Sequence, residues 1–445
     1  MRLRLLGILV AGCHGAVTLE IASDRPIPQA LDSICVGIAD TAAGGGHFGR
    51  DYQLGQKIAG LPQSLRVDPG GASSALAWVR GDRGGVPVQL ASSPIDFGGD
   101  VTLSLDRCAP GAATLPHAVG AAVGPASPLL AASEGQGGTA IVAVGAAGTA
   151  LVFADGGALV AREAPAAPPG NPVALVAADL DGDCDDDVIV ATDGAPPEVW
   201  RRDGATLVDA GPIGSTAVAA VATADVDRDG DTDVVVAAGG TLELWRNDGG
   251  GTFTQDAAAL DAAGRITAAS ALALGDLDGD GNVDLVVGQA GGGLEAWLGD
   301  PGGTGSFVPA DGVVPPVPLE VEQLVLADAD GDFDPDLAVA VAGGPMRLYI
   351  DRDGLLEDQS FVRLPQPPPA IHAIAIGNWD DGCEPDAVVA SDAGNATWRG
   401  QPTGVFAEEQ ATAPAATGVV MIDLDGDGIL DAVFATAGGA QWLAR

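Results

Sequence analysis

The segment that decides the fold is Asp276-Leu-Asp-Gly-Asp-Gly-Asn-Val-Asp284, which runs directly into Leu-Val-Val-Gly288. Carboxylates stand at loop positions one, three, five and nine, and Asn282 at position seven can add its backbone carbonyl. Calcium takes about six to eight hard oxygen ligands, so a loop of this kind can wrap one ion. The glycine at position six allows the positive φ of a sharp turn. The segment therefore predicts a cation-binding turn that leads into a strand.

This pattern recurs along the chain. Similar segments begin at residues 179, 225, 276, 328, 378 and 423, at spacings of 45 to 52 residues. Each is followed by a short apolar run such as Asp233-Val-Val-Val236, which is typical of a buried strand. Self-similarity at a nearly fixed period of this length predicts a repeat architecture.

A second marker has the same period. One aromatic residue stands on the strand that follows each apolar run, and another stands one period earlier: Phe153, Trp200, Trp245, Trp297, Tyr349, Trp398 and Trp442. We expect them to pack between units rather than to stack on sugars. The unit around Phe153 has no acidic loop but keeps its strand pattern. Seven radially repeated units of short strands predict an all-β fold, a seven-bladed β-propeller.

Closure of the ring is the next expectation. The last unit ends at Arg445, three residues beyond Trp442, before a fourth strand. The segment Gly111–Pro116 is similar to the fourth strand of a complete unit, Asp203–Val208. We expect this segment to complete the last blade, because pairing the two ends of the array removes an open sheet edge.

An EF-hand loop is the competing interpretation of the acidic segments. EF-hands carry an acidic residue at position twelve and continue into a helix. Here position twelve is Val236, Val287 or Phe434, and the chain continues as a strand. The pattern instead resembles the FG-GAP/VCBS repeat family, the calcium-loop propellers that also form the head of integrin α subunits. The resemblance covers the chain from about residue 110 to its end.

The resemblance implies about five structural Ca²⁺ sites. Their side-chain ligands would stand at positions one, three, five and nine: Asp179, Asp181, Asp183 and Asp187; Asp225, Asp227, Asp229 and Asp233; Asp276, Asp278, Asp280 and Asp284; Asp328, Asp330, Asp332 and Asp336; Asp423, Asp425, Asp427 and Asp431. The position-seven residues would offer backbone carbonyls: Asp185, Asp231, Asn282, Asp334 and Ile429. The alternative is that the loops are acidic turns that hold no cation.

Three loops depart from the pattern. The loop that contains Asn378, Asp380 and Asp386 has Gly382 in place of the position-five carboxylate, so we expect a weak or empty metal site there. Cys184 and Phe333 replace the position-six glycine in two other loops, and we expect weaker binding at both.

The first residues favour export. Two arginines, the apolar run Leu5–Val10 and small residues before Cys13 predict a signal peptide of lipoprotein type over residues 1–12. Cys13 would then be the lipidated residue, and the membrane would be contacted only through this lipid. A plain leader is the alternative.

Residues 13–108 lack the repeat, and residues 109–445 contain it. Short β-rich runs such as Val101–Leu105 predict a small β-sandwich-like domain ahead of the propeller. Without Cys13, four cysteines remain, an even number in an oxidising compartment. We expect a disulfide between Cys35 and Cys108. For Cys184 and Cys383, a second disulfide and two separate buried thiols both remain open.

Charge and composition narrow the function. The chain has 61 acidic and 20 basic residues, a formal net charge of −41, and such a surface repels nucleic acid. It has only four histidines and two tyrosines, so groups for acid–base catalysis are few and we expect no enzyme. The sequence favours a monomeric, extracytoplasmic propeller, in the bacterial cell envelope or secreted, that binds a protein or a glycan. The alternatives are a propeller-based polysaccharide-acting enzyme and a purely structural envelope lipoprotein.

Overall fold

A computed structural model describes two parts of the chain. It describes residues 17–23, 33–39, 48–53, 63–67, 74–83, 86–96 and 101–105 in the N-terminal part. From 129 to 443 it describes all residues except 134–138, 146–147, 156–157, 184, 239, 261–264, 267, 279, 281, 316–319, 331–333, 353, 368, 378, 380–384, 402, 413–414, 423 and 425–429. Among the described residues the regular secondary structure is β-strand, apart from one four-residue helix.

Two sheets form in the N-terminal part. Their strands are β1 (Val17–Ser23), β2 (Ser33–Ala39), β3 (Phe48–Gln53), β4 (Gln63–Val67), β5 (Ser74–Arg83), β6 (Val86–Asp96) and β7 (Val101–Leu105). The first sheet has the order β4-β1-β7 and the second β3-β2-β5-β6. Strand β1 is antiparallel to β4 and parallel to β7. Assembly of these sheets into a β-sandwich stays a prediction, as do the domain boundaries.

The remaining strands form seven consecutive antiparallel sheets. Blade 1 has β8 (Leu129–Ser133), β9 (Ala140–Gly145), β10 (Gly148–Asp155) and β11 (Ala158–Arg162); blade 2 has β12 (Pro172–Ala178), β13 (Asp187–Thr192), β14 (Ala195–Asp203) and β15 (Thr206–Pro212). Blade 3 has β16 (Ala220–Ala224), β17 (Asp233–Ala238), β18 (Thr241–Asn247) and β19 (Phe253–Gln255); blade 4 has β20 (Ala269–Gly275), β21 (Asp284–Gln289), β22 (Leu294–Gly299) and β23 (Phe307–Pro309).

The last three blades follow the same order. Blade 5 has β24 (Val321–Ala327), β25 (Asp336–Val341), β26 (Arg347–Asp351) and β27 (Leu356–Asp358), followed by the short helix α1 (Ser360–Arg363). Blade 6 has β28 (Ala373–Gly377), β29 (Asp386–Ala390), β30 (Asn395–Gly400) and β31 (Phe406–Thr412). Blade 7 has β32 (Ala416–Ile422), β33 (Asp431–Thr436) and β34 (Gly439–Leu443). The predicted seven-bladed propeller is confirmed.

The second strand of each blade is buried along its whole length, for example in β13, β17, β21, β25 and β33. Such a strand meets a neighbouring blade on both of its faces. A strand that is buried on both faces needs a near-continuous apolar sequence rather than an alternating one. This explains the unbroken Val and Ala runs that follow the acidic loops.

The ring closes by packing between blade 7 and blade 1. Ile422, Leu424 and Trp442 of blade 7 share an apolar cluster with Ile141 and Val152 of blade 1. Similar clusters join all the other neighbouring blades. First strands of neighbouring blades contact one another, so they surround the central axis. Blade 7 has three strands among the described residues, and the segment 111–116 that we expect to complete it lies outside them.

The aromatic residues pack between blades, as predicted, but they do not all face the same neighbouring blade. Trp200 pairs with Val188, the second residue of strand β13. Trp442 pairs instead with Val433, the third residue of the equivalent strand β33. Because side chains alternate along a strand, this shift of one residue turns Trp442 to the other face. Trp200 therefore packs towards the preceding blade, whereas Trp442 and Phe153 pack towards the following one.

Among the described residues, no helix has both the length and the apolar character that a membrane span requires.

Candidate metal centre

Carboxylate groups converge in the loops between the first and second strands of blades 2 to 5. In each loop, one oxygen from each of three aspartates lies within 4.8 Å of the others: Asp179, Asp181 and Asp183; Asp225, Asp227 and Asp229; Asp276, Asp278 and Asp284; Asp328, Asp330 and Asp336. The first two triads use positions one, three and five, and the other two use positions one, three and nine. Each triad could hold a metal ion.

The position-nine aspartate holds each loop to its blade. In blade 4, Asp284 Oδ2 accepts a hydrogen bond from the Leu277 N–H at 2.6 Å, and Oδ1 accepts one from the Gly299 N–H at 2.7 Å. One carboxylate therefore joins the start of the loop to the third strand. The equivalent aspartates Asp233, Asp336 and Asp386 make the same pair of bonds.

This double hydrogen bond explains Asp386. Its loop has lost the position-five acid, yet Asp386 is 1% exposed and accepts from the N–H groups of Trp379 (2.9 Å) and Gly400 (2.8 Å). The sequence motif predicts only a metal ligand at position nine. An aspartate at position nine of a loop that has no acid at position five was the sequence signal of this structural role.

Position five shapes the loop through position seven. The N–H of Asp185 donates to Asp183 Oδ1 at 2.9 Å, and that of Asp231 donates to Asp229 Oδ1 at 3.0 Å. In blade 4, Asp280 accepts both the N–H and the Nδ2 of Asn282, each at 2.7 Å. The structure thus places the Asp280 carboxylate outside the triad of its loop. The predicted left-handed turn at position six is present at Gly230, with a φ of 100°.

Burial raises the pKa of the loop carboxyls. Desolvation, opposed by the hydrogen bond from the Arg202 N–H and supported by neighbouring carboxylates, raises the pKa of Asp187 to about 8. Desolvation and the charges of Asp229 and Asp233 raise the pKa of Asp225 to about 8. Desolvation likewise raises the pKa of Asp336 to about 8. Without a cation the folded protein therefore holds these groups in their charged form at a cost.

Among the described residues, several buried oxygens in the acidic loops have no hydrogen-bond partner. They include Oδ1 of Asp181, Asp225, Asp227, Asp330 and Asn282, and Oδ2 of Asp187. Buried polar atoms are normally hydrogen-bonded or bound to an ion. Four of these oxygens belong to residues of the triads, so the donor set suits a hard divalent cation.

Arginines that the loop motif does not predict approach the same loops. Arg201 Nη1 lies 3.6 Å from Asp181 Oδ2, and Arg246 Nη1 lies 3.0 Å from Asp227 Oδ2. Arg352 and Arg363 lie 3.1 Å and 3.0 Å from Asp330 Oδ2. The position after the blade aromatic was the available signal for Arg201 and Arg246.

Several predicted residues lie outside the described part of the chain. They are Cys13, Cys108, Cys184, Asp332, Asn378, Asp380, Cys383, Asp423, Asp425, Asp427 and Ile429. Cys35 lies in β2, but its side chain is not among those described. In the last acidic loop the described residues are Leu424, Leu430 and the position-nine residue Asp431. Asp431 Oδ2 accepts a hydrogen bond from the Leu424 N–H at 3.1 Å.

Comparison with known proteins supports the repeat family. A model of the FG-GAP-like repeat matches residues 179–236, 225–287 and 276–339, each match running from one acidic loop past the next. Blades 2 to 5 thus carry FG-GAP-like repeats. No curated protein sequence matches the chain.

Solved structures similar to this chain include two with low sequence identity. One is a lectin of Agrocybe aegerita, described for its specific recognition of non-reducing terminal N-acetylglucosamine, with 18% identity and a TM-score of 0.50 over 69% of this chain and 85% of the lectin chain. Another is BBS1N in complex with ARL6DN, with 14% identity and a TM-score of 0.49 over 74% of this chain and 95% of the other. At these identities the lectin likeness supports the propeller fold alone.

Proposed function

Starting from a propeller with FG-GAP-like repeats, we propose that this chain binds calcium in its acidic loops and serves outside the cytoplasm as a non-enzymatic module that binds a protein or a glycan. The single observation that carries the metal proposal is the set of buried carboxylate oxygens, in Asp181, Asp225, Asp227 and Asp330, that find no hydrogen-bond donor among the described residues. Each belongs to a triad of converging aspartates.

The calcium would act as structure. The ion supplies positive charge to carboxylates that burial and mutual repulsion otherwise push towards protonation. The residues that would hold it are the four triads, each on a loop that position nine ties to the third strand. A bound ion would therefore stiffen the loop between the first two strands of its blade. Because only the folded chain brings these aspartates together, binding stabilises the fold.

The binding role is proposed from the architecture. A propeller presents its inter-strand loops on two faces, and the loops are where recognition usually takes place. Stiffened calcium loops would make one of these faces rigid. The low number of histidines and the structural use of the buried aspartates favour binding over catalysis. Export through the predicted signal peptide would place the loops where calcium is millimolar.

Direct calcium binding tests the metal proposal. We expect equilibrium dialysis of the full chain, after removal of calcium by a chelator, to detect several bound ions per chain at millimolar calcium. The matched variant changes Asp276 and Asp278 of the third loop to asparagine together and should bind one ion fewer. Wild-type protein that binds no calcium at about 10 mM would refute the metal proposal.

An array tests the binding proposal and separates its two forms. The probe is labelled full-length protein on a glycan array at millimolar calcium, and the array includes terminal N-acetylglucosamine because the lectin with this fold recognises it. Sugar binding that disappears in chelator would support a lectin-like module. Turnover of a polysaccharide by the wild-type chain would instead favour the enzyme alternative.

A further inference from the structure

Arg246 places a positive charge inside the second acidic loop. Its Nη1 lies 3.0 Å from Asp227 Oδ2 and 3.5 Å from Asp233 Oδ2, and its side chain is only 16% exposed. Its Nη2 donates to the carbonyl oxygens of Thr304 (3.0 Å) and Gly305 (2.8 Å) in the hairpin between β22 and β23. One guanidinium therefore joins the acidic loop of blade 3 to a turn of blade 4.

Leu298 is the structural equivalent of Arg246 in the next blade. Each follows the blade aromatic, and in each blade the N–H of the following residue donates to the position-nine aspartate, at 2.8 Å to Asp233 and at 2.7 Å to Asp284. Leucine brings no charge. Within the described residues no arginine pairs with Asp278 or Asp284, in contrast with the second loop.

The two loops differ at position nine in a way that matches this exchange. In blade 4, Asp284 joins Asp276 and Asp278 in the converging triad. In blade 3, Asp233 lies outside the triad and beside the guanidinium of Arg246 instead. The loop with leucine thus gathers position nine into the metal triad, and the loop with arginine does not.

We propose that Arg246 is a built-in competitor for the cation of the second loop, so that the third loop binds calcium more tightly than the second. This inference rests on the proposed calcium function and assigns an order to its sites. The guanidinium and a divalent ion both need the carboxylates of Asp227 and Asp233, and like charges a few ångströms apart repel. In the described part of the third loop no guanidinium pairs with Asp278 or Asp284, so no such competitor opposes the ion at these two carboxylates.

Three variants of the full chain test the competition by calorimetric calcium titration after chelator treatment. Arg246→Gln removes the charge but keeps an amide that can donate to the Thr304 and Gly305 carbonyls, whereas Arg246→Lys keeps the charge. We expect Arg246→Gln to raise the calcium affinity of one site by about ten-fold or more, and Arg246→Lys to stay within about three-fold of wild type. Leu298→Arg should weaken one tight site by about ten-fold or more.

The outcomes separate this inference from the proposed function. Calcium binding in which wild type, Arg246→Gln and Arg246→Lys agree within about three-fold, or in which the two Arg246 variants change alike, would overturn the competition and leave the calcium function standing. No binding by any of the proteins at about 10 mM calcium would overturn both. A site that is present in Arg246→Gln and not in wild type would support the competition.

Discussion

Replacement of Asp386 by alanine is expected to destabilise the propeller to the same extent with and without calcium. Asp386 is 1% exposed and accepts the Trp379 and Gly400 N–H groups at 2.9 and 2.8 Å. A buried donor left without an acceptor costs about 1–3 kcal/mol; because the Gly400 N–H is only partly buried, the two together should cost about 2–4 kcal/mol. The loop of Asp386 lacks the position-five acid, so calcium should contribute little there. Urea unfolding of the full chain, in chelator and at millimolar calcium, measures both values.

The matched control is Glu408→Ala, which removes an exposed carboxylate from the same blade and should change stability by less than about 0.5 kcal/mol. A loss below about 1 kcal/mol in Asp386→Ala would refute the structural role of position nine. So would a loss that appears only in the presence of calcium, because the residue would then act as a metal ligand.

Two further predictions concern seams between blades. His372 Nδ1 lies 3.2 Å from Glu322 Oε2, and its Nε2 lies 3.2 Å from Asp392 Oδ1. Burial lowers the pKa of His372, but the hydrogen bonds to these two carboxylates outweigh that effect, so the pKa lies above its ordinary value. The contribution of His372 to stability should be complete below about pH 6.5, its pKa in the unfolded chain, and should fade as the pH rises through the pKa in the folded chain. An NMR titration of the imidazole measures the folded pKa, and melts of His372→Ala and wild type at several pH values measure the contribution to stability. Trp442→Ala should cost about 3–5 kcal/mol and loosen the junction of blades 7 and 1, visible as faster amide exchange in β8 and β32; unchanged exchange in both strands would contradict the closure described here.

The repeat made the propeller predictable from sequence. The period, the buried apolar runs and the aromatic positions all follow from a blade whose second strand is covered on both faces, as β17 and β21 show. The face on which Trp442 packs could not be predicted, because a shift of one residue along its strand moves a side chain to the opposite face of the sheet.

The candidate site was predictable only in part. Converging carboxylates follow from acids at alternate positions of a tight loop, and the triads around Asp181 and Asp278 confirm that convergence. Sequence spacing could not reveal that the Asp280 carboxylate accepts two hydrogen bonds from Asn282. Nor could it reveal Arg246 beside Asp227, because Asp227 lies in the loop before β17 whereas Arg246 lies in β18. The export signal, the lipid at Cys13 and the Cys35–Cys108 disulfide stay predictions.

The central claim, that the acidic loops bind calcium and so stabilise the propeller, is tested most directly by a thermal melt of the full chain in chelator and after calcium is added back. If a site has a Kd of about 10⁻⁴ M, then about 10 mM calcium stabilises the folded chain by about 2.7 kcal/mol per site. We predict a reversible rise in Tm of several degrees or more with calcium. A Tm that is the same in chelator and in calcium would contradict the account and leave the loops as acidic turns.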